Sequence, residues 1–279
     1  MGFIKKYKKL SDNIMKIYLV GDVGDYSNMT KTIFKNIVLD SEKNDVIILL
    51  GDNFYPNGVN SVDDLKWDNF KELLLNVKTF AVLGNHDYLG NVKAQINFKK
   101  YNWNMDNHYY KRTFDKFEFF FIDTSILVPD YCNLNYNIVK SKLNNEPTVI
   151  SKNMIEWLDV ETNKSNKIKI VIGHYPVVSF GMYGINKKLF EILFPIFKKN
   201  SIKYYISGHD HNLQIIDITS QNYSFKQLIS GSGSVVYPIL KNMNKKSFSS
   251  NGYLTINTLT NMISMNNYNN KLIYTEKIE

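Results

Sequence analysis

Cysteine is almost missing. Cys132 is the one cysteine in 279 residues, so the chain forms no intrachain disulfide, and a reducing compartment fits that scarcity. Arginine is as scarce. Of 34 basic residues only Arg112 is an arginine, and the lysines are scattered. The formal charge of +8 therefore describes a solvated surface and not a base-reading interface, which depends on arginine forks; no nucleic-acid partner is expected. Long apolar runs are absent too: none approaches the roughly 20 residues that span a bilayer. Met1 to Leu10 lacks the apolar core of a signal peptide, and Lys6 stands where a myristoylated Gly2 would want Ser or Thr. The expectation is a cytoplasmic protein with no membrane partner. Without a secretory route, the sequons at Asn28, Asn163 and Asn222 carry no weight.

What is present is globular in composition, 44% hydrophobic and 22% charged, and long enough for one large α/β domain. We read 1–279 as a single domain with an N-terminal extension over 1–13. Branched and aromatic runs at 14–20, 46–50, 79–83, 117–124, 168–172 and 202–206 read as strands. Helices are expected from about Met29 to Leu39, behind a capping box of Ser61 and Asp64, from about Ser151, and behind Asn186. The stretch 128–153 loses the pattern and reads as an irregular surface loop. Short runs near 213–217, 223–229, 252–258 and 271–275 read as antiparallel strands. Strand, polar loop, helix, strand indicates βαβ units and a largely parallel sheet.

Five of these strands end in a glycine followed by polar residues. The most telling is Val46-Ile47-Ile48-Leu49-Leu50, a run suited to burial on both faces, which breaks at Gly51 into Asp52, Asn53 and Tyr55. Together the five ends supply Asp22, Asp52, Tyr55, Asn85, His86, His174, His209 and His211, with four of the chain's five histidines; His108 reads as structural or surface. A Gly-Asp pair after a strand is more often a turn than a ligand. The conjunction decides, because parallel strands deliver their carboxyl ends to one edge. Asp87 and Asp210 read as acceptors that orient their neighbours. Mixed oxygen and imidazole donors suit first-row transition metals, and seven are too many for one tetrahedral ion. They suit two ions about 3.5 Å apart that share a carboxylate. A phenolate favours Fe(III) at the tyrosine; with a divalent partner, and less Asp22, Asp52 and Tyr55, the site keeps a charge of about +2.

These stretches resemble the calcineurin-like metallophosphoesterase superfamily, and within it the small tartrate-resistant, purple type of acid phosphatase. The matching segments are Gly21-Asp22, GDNFYPNGV at 51–59, GNHDYLGN at 84–91, FIDT at 121–124, GHYPV at 173–177, GHDHNLQ at 208–214 and NGYL at 251–254. The resemblance implies an α/β fold of two mixed β-sheets packed as a sandwich with helices on both outer faces. It implies that Asp22, Asp52, Tyr55 and His211 hold Fe(III), and that Asp52, Asn85, His174 and His209 hold a divalent ion (Fe, Zn or Mn), with Asp52 bridging. It also implies that His86 protonates the leaving group. The chain departs from the family at Val23, where tryptophan is usual, at Asp25, at the loop 231–237, and in lacking the cysteine pair of secreted relatives.

The function expected is hydrolysis of a small phosphomonoester or a phosphoprotein by attack of a metal-bound hydroxide. Two rivals stand beside it: a two-divalent-metal phosphodiesterase or nucleotide hydrolase of the same fold, which has no need of Tyr55, and a non-catalytic scaffold derived from it.

Overall fold

The computed structural model describes residues 15–129, 136–144, 146–240 and 245–279. The expected extension over 1–13, and Cys132, lie outside them. Two seven-stranded mixed sheets pack face to face, with helices outside. One sheet runs β14 (Leu272–Lys277), β13 (Met262–Asn267), β12 (Gly252–Asn257), β1 (Lys16–Val20), β2 (Val46–Leu49), β3 (Lys78–Ala81), β4 (Trp103–Asn104). The other runs β11 (Ser247–Phe248), β9 (Leu213–Ser220), β10 (Tyr223–Ser230), β8 (Tyr204–Ser207), β7 (Ile168–Ile172), β6 (Phe117–Phe121), β5 (Tyr110–Phe114).

The central strands β2 (VIIL), β6 (FEFFF) and β8 (YYIS) are buried at every position. Each has the opposite sheet on one side and helices on the other, which is why their sequences do not alternate. Phe80 of β3 meets Phe114 at 5.3 Å and Phe121 at 6.2 Å across the sandwich. The sheets are also tied by hydrogen bonds: Tyr110 Oη donates to the Ala81 carbonyl at 2.7 Å, and Ser230 Oγ to the Leu19 carbonyl at 2.7 Å. Helix Lys187–Lys199 lays Leu189, Leu193, Phe194 and Phe197 on the second sheet, capped as expected by Asn186, whose side chain accepts from Leu189 N at 3.1 Å.

Four expectations are corrected. The strand ends do not share one sheet edge: β1, β2 and β3 belong to the first sheet and β7 and β8 to the second, and the sandwich brings both sets of carboxyl ends together. The stretch 128–153 is not irregular throughout, since it contains the helix Tyr136–Lys142 and the start of the helix Pro147–Lys164. The cap behind residue 61 is Asp64, which accepts from Lys66 N at 3.0 Å; it opens a 3-10 turn, Leu65–Phe70, before the helix Lys71–Asn76. The expected antiparallel run 223–229 pairs that way only with β9; its other neighbour, β8, is parallel. No helix among the described residues is long and apolar enough to cross a membrane.

Candidate active site

Asp22, Asp52, Asn85 and His86 follow β1, β2 and β3. His174, His209 and His211 follow β7 and β8. The structure brings all of these together with Tyr55, as the sequence predicts, around a cleft of about 460 Å³. The turns are tight. Asp22, Asp52 and His209 each sit in the left-handed region, at φ of 58°, 51° and 67°. Such conformations cost roughly 1–3 kcal/mol for most residues and persist where surrounding bonds over-determine them. Here Asp22 N donates to the Gly51 carbonyl at 3.0 Å, and His209 N to Asp22 Oδ2 at 2.7 Å. Two glycines are required by close approach. Gly51, at φ 90°, lies under His174, where a Cβ would come within 2.5 Å of Nδ1. A Cβ at Gly84 would strike the Asp52 carboxylate.

The donor atoms fall on two sides of Asp52. Tyr55 Oη lies 3.1 Å from Asp52 Oδ2, 3.2 Å from Asp22 Oδ1 and 3.3 Å from His211 Nε2. On the other side, His174 Nε2 lies 3.5 Å from Asp52 Oδ1, 3.1 Å from Asn85 Oδ1 and 3.2 Å from His209 Nδ1. His174 Nδ1–H donates to the Leu50 carbonyl at 2.8 Å, which turns Nε2 toward the cluster. Nε2 then faces the Asn85 amide oxygen at 3.1 Å, a contact that a proton on the ring or a cation between the two atoms satisfies. The electrostatics agree. Burial presses His174 toward its neutral form, yet the Asp52 carboxylate prevails and lifts its pKa to about 9. Burial also opposes the charge on Asp52, but the His174, His86 and His209 rings hold its carboxyl well below the usual carboxylate range. Burial and His174 together keep His209 neutral. Burial, Asp52 and Asp22 hold the Tyr55 phenol far above its ordinary value, so it ionises only against a strong cation. Asp52, His174 and His209 alone make a buried trio whose donor atoms lie within 4.8 Å of one another, enough to hold a metal ion.

His86 lies beside this cluster. Its backbone N–H donates to Asp52 Oδ1 at 2.8 Å, and its Nδ1 sits 2.7 Å from the Pro56 carbonyl. Asp87 stays out of the cleft and accepts from Gly84 N at 2.9 Å, Gln95 Nε2 at 2.8 Å and Asn53 N at 3.2 Å, so it holds the two turns that carry Asp52 and Asn85. Asp210 holds Ser179 and Asn212. His108 is structural and not a surface residue: its side chain is buried and its Nδ1 sits 2.8 Å from Asp123 Oδ2, which also accepts from Tyr88 Oη at 2.6 Å. Sequence reasoning missed Tyr183, whose ring lies 4.1 Å from that of His209 on the cleft wall. Nothing in its segment marks it, because a returning loop puts it there.

Comparison with known proteins follows this geometry. Residues 15–213 match the model of the calcineurin-like phosphoesterase family. Over 245 residues the chain is 31% identical to purple acid phosphatase 7 of Arabidopsis thaliana, covering 81% of this chain and 72% of that protein. It is 30% identical over 227 residues to tartrate-resistant acid phosphatase type 5 of Rattus norvegicus, covering 75% of this chain and 66% of that one. Two solved structures share the fold. A purple acid phosphatase from yellow lupin seeds aligns at TM-score 0.69 and 14% identity, over 94% of this chain and 53% of its own. GAP50, described as the anchor in the inner membrane complex of Plasmodium, aligns at TM-score 0.72 and 23% identity, over 95% and 89%. The matched segment contains every residue that meets at the cleft floor, and the chain belongs to the calcineurin-like phosphoesterase family.

Proposed function

We propose that the protein is a binuclear-metal phosphomonoesterase of the purple acid phosphatase kind. The observation that carries this is the division of donors about Asp52, with Asp22, Tyr55 and His211 on its Oδ2 side and Asn85, His174 and His209 on its Oδ1 side. In this reading the first group and Asp52 hold Fe(III), while the second group and Asp52 hold Fe, Zn or Mn in the divalent state. Ions held there would neutralise the phosphate and acidify the attacking water. The chain's own groups supply the rest. His86 keeps one proton on Nδ1 against the Pro56 carbonyl, so Nε2 is the position that exchanges a proton, and it serves as the general acid for the leaving alkoxide. Asp87 and Gln95 keep the Asp52 and Asn85 turns in register.

The non-catalytic reading has one observation behind it, the fold shared with the Plasmodium anchor. The complete donor set weighs against it. Metal content, visible absorption and turnover of p-nitrophenyl phosphate, measured on one iron-loaded sample, discriminate. We expect two ions per chain and a charge-transfer colour that Tyr55→Phe abolishes. Asp52→Ala is expected to lose both ions and turnover. Full activity in Asp52→Ala, or a chain that takes up no metal, overturns the proposal. Two ions without colour move the assignment to the two-divalent-metal phosphodiesterase.

A further inference from the structure

Where the chain departs from its family pattern, the departures gather on one side of the cleft. Asp25 lines it, exposed, with its Oδ1 fixed by Ser27 N at 2.9 Å. Val23 lies against Gly233, and Ser234 Oγ donates to the Asp22 carbonyl at 2.5 Å, so the loop 231–237 is fastened to the loop that carries Asp25. That loop ends at Tyr237, whose ring stacks on His211 at 4.4 Å and whose N–H donates to the His211 carbonyl at 2.7 Å. Tyr183 completes the wall from a closed turn, where Val178 bridges Ile185 and Ser179 N donates to the Gly184 carbonyl at 2.7 Å. A further bond, Phe180 N to Gln214 Oε1 at 2.9 Å, pins that turn to the sheet. These walls are therefore built.

The chemistry of the rim is one-sided. Among the described residues that line the cleft there is no lysine or arginine, in a chain with 34 basic residues. The rim offers a carboxylate, two tyrosine rings and the apolar Val235. Carboxylate and aromatic surface together attract an alkylammonium ion, since ring quadrupoles and an anion both favour positive charge with little demand for hydration. The same rim repels a leaving group that carries further negative charge.

We propose that Asp25, Tyr183 and Tyr237 form a leaving-group subsite for an alkylammonium, and that the substrate is a small phosphomonoester of an ammonium-bearing alcohol, of the phosphocholine type. This rests on the phosphomonoesterase reading above. The reaction balances as hydrolysis. Water oxygen forms the new bond to phosphorus, the ester P–O bond breaks, and the departing alkoxide takes a proton from His86. The products are the amino alcohol and inorganic phosphate.

The test compares kcat/KM of the metal-loaded chain for phosphocholine and for 3,3-dimethylbutyl phosphate, its uncharged carbon isostere, with p-nitrophenyl phosphate as reference. Calorimetry with choline alone gives a readout that needs no turnover. We expect phosphocholine to exceed the isostere by about tenfold. Asp25→Asn and Tyr237→Leu should each cut that ratio by about threefold or more and weaken choline binding in step. Metal content and melting temperature show whether Tyr237→Leu remains intact, and Asp25 is exposed enough that its variant folds. A wild-type ratio near one, or a ratio kept by both variants, overturns the subsite. If p-nitrophenyl phosphate is not hydrolysed either, the phosphatase reading fails, and choline calorimetry then decides the subsite alone: binding that Asp25→Asn weakens supports it, and no binding overturns it.

Discussion

His86 and His174 are set apart by the backbone carbonyl each ring meets, and in the proposed reading that contact sorts them into acid and ligand. Leu50 offers its carbonyl to His174 inside the cluster, and Pro56 offers its carbonyl to His86 on the cleft wall. The first ring is buried within the cluster, while the second is half-exposed and touches the cluster through its own N–H and through an edge contact of its ring with Tyr55 at 4.6 Å. In the proposed reaction His86→Ala therefore keeps both ions and loses proton delivery. Rates for alkyl esters should fall by about 10²–10³, while p-nitrophenyl phosphate, whose leaving group needs little protonation, falls about tenfold or less. A Brønsted plot of log kcat against leaving-group pKa checks this, and equal losses across the series would remove His86 from the role of acid. At this scale the sequence was legible where chemistry sits in side chains: all eight site residues fall within four residues after a strand-ending glycine. The carbonyls of Leu50 and Pro56 that sort the two histidines were not, because a carbonyl has no residue signature.

Strands were legible in proportion to their burial. β2, β6, β7 and β8 announce themselves as apolar runs. β4 is two residues long, β11 is another pair, and β13 (MISMNN) has half-exposed positions and little β-branched character, so all three escaped notice. β5 alternates, with Lys111 and Thr113 exposed and Arg112 laid over the Phe80 and Tyr110 rings, but the charged and polar run Lys111-Arg112-Thr113 hid it in the sequence. The late strands meet through charge. Lys226 of β10 lies 2.5 Å from Asp217 of β9 and 3.2 Å from Glu276 of β14, and Lys246 bonds the same two carboxylates at 3.1 and 2.8 Å, linking the sheets. Burial presses the Asp217 carboxyl up, but the two ammonium groups outweigh it and hold it below the usual range. A depressed folded pKa means the contribution is present above the unfolded value of about 3.9 and is lost as pH falls through the folded one. Lys226 and Lys246 are raised against the pressure of burial by the same partners, so their share is lost only as pH climbs past the ordinary lysine range. Asp217 is 58% exposed, so screening keeps the whole effect small, about 0–1 kcal/mol. Asp217→Asn should lower the melting temperature by about 2 °C at pH 7, less in high salt, and by progressively less as pH falls below about 3.9. A difference that does not shrink with acidification or salt would point to packing and not to charge.

The molecule as a whole is held in two ways, and they respond to different reagents. The sandwich core, with Phe80 against Phe114 and Phe121 and the Tyr110–Ala81 pair at one flank, owes nothing to ions. The cleft end is different. Asp22, Asp52 and Asn85 hang from one sheet and His174, His209 and His211 from the other, and three of these residues hold left-handed backbone. In the proposed reading, cations bound there would join the sheets in the native state and find no such array in the unfolded chain. Ions at 100 times their dissociation constant stabilise by about 2.7 kcal/mol per site, which for the two proposed sites and a chain of this size corresponds to about 10 °C in melting temperature. Reduction and chelation should therefore lower the melting temperature by that order and leave one cooperative transition, because the core does not depend on the ions. The same treatment of Asp52→Ala should shift nothing. Calorimetry before and after chelation checks both chains. If the wild-type transition stays in place after its ions are gone, the ligands are held by the sandwich alone and the ions do not join the sheets; if it splits in two, the sheets unfold as separate units that only the ions had coupled.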